Sequence, residues 1–166
     1  MELFFRDRFF SSGTSEIMDA SGSELGHIDL KSAFGSSLDI YDSSRNLIYS
    51  GKFRVFSNKW NVLDPQGDTI GIVRSRISFL EKKFEYQAGS RGIFTITSPA
   101  FSRDFTIVDE QGEVVAGFEK ISGFFSSGAY RLQNNSSEID SYELIAVIMG
   151  VHSIRKRQSQ AANSAP

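Results

Sequence analysis

The chain has 166 residues, 40% of them hydrophobic and 23% charged, with a formal net charge of −2. That length allows one domain with a sizeable core, and so small a net charge excludes capture by nucleic acid or an anionic membrane through bulk charge; such a partner needs a local patch. The absence of cysteine excludes disulfides, zinc–thiolate sites, cysteine nucleophiles and palmitoylation, and fits a cytoplasmic protein.

The chain opens "MELFFRDRFF", where Arg6, Asp7 and Arg8 interrupt the apolar run before a signal-peptide core can form. Its 15 Phe residues suit a wide core filled from many short strands. A pattern then recurs. "EIMDASGSEL" centres on Asp19, "DIYDSSRNLI" on Asp42, "NVLDPQGDTI" on Asp64 and "TIVDEQGEVV" on Asp109. The spacings are 23, 22 and 45 residues, the last being two units. A degraded unit fills the gap near residue 87, in "FEYQAGSRGIF", and another follows near residue 132, in "AYRLQNNSSEI".

Two residues before each clear Asp stands a β-branched residue, Ile17, Ile40, Val62 or Ile107, and six after it an aliphatic, Leu25, Ile48, Ile70 or Val115. Between them lies turn chemistry. The Asp carboxylate accepts from backbone amides two residues on, and Gly takes the positive φ that ends the turn. The second unit has Arg45-Asn46 in place of the Gly, and Asn is the next best residue for that conformation. Each unit therefore predicts a β-hairpin, and six hairpins predict twelve strands of roughly 6 to 9 residues. Asp-x-x-Gly is read as a turn rather than a calcium loop, because it commits one carboxylate where a calcium loop needs several at alternating positions.

From Ser136 the hairpin pattern stops. Ser137 or Ser141 can cap a helix, with Glu138 or Glu143 in its first turn. Leu144, Ile145, Val147, Ile148, Met149, Val151 and Ile154 then cover every side of that helix, and Arg155, Lys156 and Arg157 suit its C-terminal end. A helix apolar all round is buried in a large core or in lipid, and this one falls short of the roughly 20 residues a bilayer needs. Twelve antiparallel strands close into a barrel too wide for their own side chains to fill, and the helix supplies the filling. The expected organisation is one barrel-plus-helix domain over residues 1–157 and a disordered polar tail over 158–166.

Basic residues also recur. Arg8, Lys31, Arg54, Arg76 and Lys120 fall at equivalent points, read as the start of each hairpin's first strand; Arg6, Lys52 and Arg74 stand two positions earlier in three units. Residues two apart on a strand share a face. "RDR", "KFR" and "RSR" thus each put two positive charges on one side. Neighbouring strands would combine them into a stripe able to hold a phosphate headgroup. The competing reading is a barrel exterior charged for solubility and against edge pairing. No catalytic residue stands out: His27 and His152 are unpaired in sequence and no G-x-S-x-G elbow occurs. Trp60 and the Phe set are core residues, while one ring of Phe9-Phe10 and one of Phe124-Phe125 are expected to face outward.

The hairpin repeats with D-x-x-G turns and the "YELIAVIMGVHSIRKR" helix together resemble the tubby C-terminal-like superfamily, from about Phe5 to Arg157. Within it the chain is most similar to small bacterial proteins grouped with plant LURP-one-related proteins and phospholipid scramblases. The resemblance implies a twelve-stranded closed antiparallel β-barrel around a central hydrophobic C-terminal α-helix, the same count the spacing predicts. It also implies a link to lipid. Tubby domains bind phosphoinositides through basic residues on the barrel wall, and scramblases are tied to membranes. The sequence lacks a scramblase-like cysteine cluster and a long acidic calcium-binding segment, which argues against calcium-dependent lipid transfer. The reading is a non-enzymatic, cytoplasmic binding domain without cofactor, metal or nucleic acid. It meets anionic phospholipid headgroups at the membrane periphery through Lys52, Arg54, Arg74, Arg76, Arg6 and Arg8. The alternative is a protein-interaction or structural scaffold with no lipid affinity.

Overall fold

The Asp of each clear repeat builds its own turn. Asp19 Oδ1 accepts from the amides of Ser21 and Ser23 at 2.8 and 2.9 Å, Asp64 Oδ1 from Gln66 and Asp68 at 3.0 and 2.8 Å, and Asp109 Oδ1 from Gln111 and Glu113 at 3.0 and 2.9 Å. Gly22, Gly67 and Gly112 close these turns at φ of +82°, +89° and +85°. The strand pairing shifts register immediately before all four Asp residues, a bulge of the kind a three-residue hairpin loop produces. In the second unit Arg45, not Asn46, takes the left-handed conformation, at φ +65°. Asn46 instead donates to Asp42 from both its amide and its side chain, at 2.8 and 3.0 Å.

The computed structural model describes residues 1–11, 13–31, 36–76, 82–99, 102–122 and 128–164. The strands are β1 (Glu2–Arg6), β2 (Gly13–Met18), β3 (Glu24–Leu30), β4 (Ser37–Asp42), β5 (Leu47–Phe53), β6 (Trp60–Leu63), β7 (Thr69–Arg76), β8 (Lys82–Gln87), β9 (Ile93–Ser98), β10 (Phe105–Val108), β11 (Val114–Ile121) and β12 (Ala129–Asn134). They form one closed antiparallel barrel in chain order, sealed where β1 pairs with β12, and a single helix, α1 (Ser141–Asn163), follows. The count of twelve stands, with strands of 4 to 8 residues, but its sixth pair is not a hairpin. After β12 the chain breaks at Asn134 and turns into the helix, so β12 takes its partner from the N-terminus, Glu2 opposite Gln133 through Arg6 opposite Ala129. The Met1 ammonium donates to the Asn134 carbonyl at 2.7 Å and locks the seam.

The helix fills the bore. Leu144 through Met149, Val151 and Ile154 are at most 1% exposed and belong to one apolar cluster with the inward residues of the strands. Gly51 on β5 and Gly150 on α1 both lie against the Trp60 indole, and a Cβ at either position would overlap it; two missing side chains make room for the largest ring. Asp140, rather than Ser137 or Ser141, caps the helix, its Oδ1 accepting from the amides of Tyr142 and Glu143 at 2.8 and 3.4 Å. The C-terminal end is also displaced. Helix continues through Gln158–Asn163, residues expected in the tail, so Arg155, Lys156 and Arg157 lie inside it rather than at its end.

Phe9 and Phe10 sit on a one-turn 3₁₀ helix between β1 and β2, not on a strand, so they do not split between faces. Phe9 is buried and Phe10 packs on His152 with ring centres 4.3 Å apart. His27 stacks on Tyr41. Phe124 and Phe125 lie outside the described residues.

Candidate functional site

Two successive strands of this barrel carry the chain from one end to the other and back. That round trip is the sequence period, so any residue type held at one phase of the repeat collects at one end. The turn residues Asp19, Asp42, Asp64 and Asp109 share the end where α1 goes in, joined by Asp68, Glu110, Glu113, Glu138 and the cap Asp140. Arg8, Lys31, Arg54, Arg76 and Lys120 run half a period out of step and collect where α1 comes out. Four of them stand at the far end of a hairpin's second strand, not at the start of a first: Lys31 follows β3, Arg54 follows β5, Arg76 closes β7 and Lys120 lies near the end of β11, while Arg8 sits on the turn between β1 and β2. A chain of net charge −2 thus folds into a charge-polarised barrel.

Strand order puts β6 between β5 and β7, so the pairs Lys52/Arg54 and Arg74/Arg76 lie on one sector of the wall with a strand between them, while Arg6 and Arg8 sit at the same end on a different sector. Most of these cations are neutralised locally. Arg74 Nε and Nη2 both donate to Glu85 Oε1, at 3.0 and 2.5 Å, and Arg76 Nε lies 3.3 Å from Glu85 Oε2. Arg6 pairs with Glu16 at 3.2 Å, Lys120 with Asp7 at 3.1 Å, and Lys31 with Asp39. Arg8, Lys52 and Arg54 are exposed, and their side chains have no ion-pair or hydrogen-bond partner among the described residues.

The β5–β6 connection adds what the repeat does not predict. Val55 is 76% exposed and Phe56 fully exposed. Phe56 is held at φ +53°, a conformation bulky residues avoid. This apolar tip is flanked in sequence by Arg54 and Lys59, whose backbones pair across the loop at 2.9 Å. Beneath it Arg157 lays its guanidinium 3.5 Å from the Phe53 ring centre and donates to the Ser57 carbonyl at 3.2 Å. Further round the rim Arg155 donates to the Ser102 carbonyl at 2.9 Å, and Arg103 to the Tyr130 hydroxyl at 3.1 Å. His152 registers the field there: burial, then Arg103, Lys156 and Arg155, push its pKa down to about 4. The run "SIRKRQ" is the sequence signal for these helix cations, but a helix assumed to stop there assigns them to its dipole.

At the turn end the helix is clamped by a buried carboxylate. Glu143, 1% exposed, accepts from Arg91 Nη1 and Nη2 at 2.6 and 2.8 Å and from the Tyr86 hydroxyl. Burial first, and then the Glu143 charge and hydrogen bond, push the Tyr86 pKa upward. Above this clamp opens a cavity of about 680 Å³, walled by Ile48, Tyr49, Pro65, Ile70, Ala88 and Tyr142 and edged by Asp42, Asp64 and Asp140. Nothing in the repeat pattern marks Arg91 and Glu143 as partners; they are 52 residues apart and meet only when the helix threads the barrel.

A family model for LURP-one-related proteins matches residues 1–150. The chain belongs to that family. An X-ray structure of a protein from Arabidopsis thaliana is similar to this LURP-one-related chain in fold, with a TM-score of 0.63 and 14% sequence identity over 93% of this chain and 90% of that one. No match is found among curated proteins. Among the described residues no helix of this LURP-one-related chain is long and apolar enough to cross a membrane, and no three His, Asp or Glu side chains group as a metal site.

Proposed function

We propose that this protein is a non-enzymatic binding domain that docks peripherally on anionic phospholipid surfaces through the barrel end where the helix emerges. One observation carries the reading: on one strand–loop–strand unit, Lys52, Arg54 and Lys59, whose side chains have no partner among the described residues, flank an exposed Val55-Phe56 tip. Cations alone would suit any polyanion. Cations around apolar side chains suit a bilayer interface, where charge meets headgroups and the rings enter the acyl boundary. Arg76, 57% exposed, shares Glu85 with Arg74, so two guanidinium groups face one carboxylate and an excess positive charge remains. The non-enzymatic part rests on the two buried carboxylates among the described residues being structurally engaged, Glu143 by Arg91 and Tyr86, and Glu85 by Arg74 and Arg76.

Co-sedimentation with phosphatidylglycerol vesicles and with phosphatidylcholine vesicles tests this. Binding is expected only with the anionic lipid and is expected to weaken as salt rises, and to fall by about tenfold in Lys52→Glu/Arg54→Glu. Val55→Ser/Phe56→Ser is expected to leave a weaker, wholly salt-sensitive attachment. No binding at low salt, or binding indifferent to the charge reversals, overturns the proposal and returns the face to the protein-interaction reading.

A further inference from the structure

The cavity at the turn end has the opposite chemistry to the basic end. We propose that it binds a small organic cation, an ammonium carried on an aromatic or aliphatic body. This does not rest on the lipid reading, because no residue is shared between the two faces.

Its size and walls come first. About 680 Å³ lies within the range of small-molecule sites, roughly 300 to 1,000 Å³. Ile48, Ile70 and Pro65 offer apolar surface, and Tyr49 and Tyr142 add aromatic rings of the kind that attract a cation. The Tyr142 ring is fixed by its hydroxyl, which donates to the Leu25 carbonyl at 3.2 Å.

Charge then selects the ligand. The lining holds four carboxylates, Asp42, Asp64, Asp140 and Glu143, against one guanidinium, Arg91. That guanidinium is already occupied: it grips both Glu143 oxygens, and it also donates to the carbonyls of Glu138 and Ile70 at 3.2 and 3.4 Å. An anion entering here finds no available cation and a surrounding negative field. A cation finds acceptors. Asp64 and Asp140 each use Oδ1 for the turn or the helix cap, and the Oδ2 of each has no protein donor among the described residues. The Tyr49 hydroxyl likewise has no partner among them. Burial, then the Asp140 and Glu143 charges, raise its pKa to about 12, so it remains a neutral hydroxyl within the same negative field. Apolar walls hold the body of the ligand and a ring of uncommitted acceptors holds its ammonium.

The test is a titration of the full chain with two probes of like shape and opposite charge, phenethylamine and 3-phenylpropionate, followed by NMR line shifts and calorimetry. The amine is expected to bind and the acid is not. In Asp64→Asn/Asp140→Asn the turn and cap retain their accepting oxygen, and amine binding is expected to fall by about tenfold or more. Lys52→Glu/Arg54→Glu is expected to leave amine binding unchanged, which separates this site from the lipid face. Equal binding of the two probes, no binding of the amine at millimolar concentration, or amine affinity unaltered in the Asn variant overturns the proposal. Should the double variant fail to fold, the amine-against-acid comparison on the unaltered chain decides alone.

Discussion

The two ends of the barrel differ in how fully the fold uses their charges. At the turn end almost every carboxylate is built into the structure. Asp19, Asp42, Asp64 and Asp109 tie hairpins, Asp140 caps α1, and Glu143 anchors the helix in the bore. At the opposite end the side chains of Arg8, Lys52, Arg54 and Lys59 have no partner among the described residues, and Val55 and Phe56 face water. A charge that builds a turn needs no further explanation. A group of cations around exposed apolar side chains, in a chain rich enough in apolar residues to fill its bore, is a surplus over what folding requires. What separates the cavity from the turns around it is that Asp64 and Asp140 keep an unused oxygen on the rim of an apolar-walled pocket.

The largest effect that would break this contrast lies at the helix. Glu143→Ala leaves Arg91 and Tyr86 without their buried partner and is expected to cost about 3 to 5 kcal/mol in urea unfolding. Arg155→Ala removes only partly exposed hydrogen bonds to Ser98 and Ser102 at the other end, for about 1 kcal/mol. Similar costs for the two would mean that the helix is not anchored asymmetrically.

A pH titration sharpens the same contrast. His152 has a folded-state pKa pushed down to about 4, from an ordinary value of 6.5, by burial and then by Arg103, Lys156 and Arg155. The unfolded chain therefore binds its proton first on acidification. Stability is full above about pH 6.5 and falls as pH drops from there toward 4, by roughly 3 kcal/mol. His152→Gln is expected to abolish that slope, and added salt to lessen it. The turn carboxylates act in a separate, lower window. Hydrogen bonds from Ser21 and Ser23 lower the Asp19 pKa, and those from Asn46 lower that of Asp42, so their contribution is present above about pH 4 and is lost below it. No loss between pH 6.5 and 4 would show that His152 is not held buried and neutral, and a loss indifferent to salt would show that the basic rim does not bear on it.

The smallest effects test the turns. Gly67→Ala, at φ +89°, is expected to destabilise by about 1 kcal/mol, whereas Arg45→Gly, at φ +65°, is expected to stabilise by several tenths. Thermal unfolding of the two variants should move in opposite directions.

Much of the architecture is legible because the repeat is written in residues whose local physics is strong. Asp with Gly three positions on fixes a turn, and β-branched residues flanking it fix the strands, so four hairpins follow from Asp19, Asp42, Asp64 and Asp109 without tertiary information. The sixth unit misleads because Asn134 and Asn135 look like a turn, whereas the partner of β12 lies more than a hundred residues away in β1. The basic pairs are legible as pairs, but Glu85, which occupies two of their members, sits on β8 and enters only by register: Arg74 lies directly opposite it. Phe56 is indistinguishable in sequence from the rest of the core set, since composition does not separate a ring at a hairpin tip from one in the bore.

The sequence by itself determined the turns, the strand count and the all-round apolar helix. It also determined the polarity of the barrel, because a period of about 22 residues matches one round trip of two strands and sorts Asp from Arg and Lys without any long-range contact. Only the tertiary structure decided which cations stay unpaired, where the seam closes, and that Arg91 and Glu143 meet beneath a cavity. Those outcomes depend on register and on the depth of the helix in the bore, both set by how side chains such as Trp60 fit against Gly51 and Gly150 across the full width of the barrel.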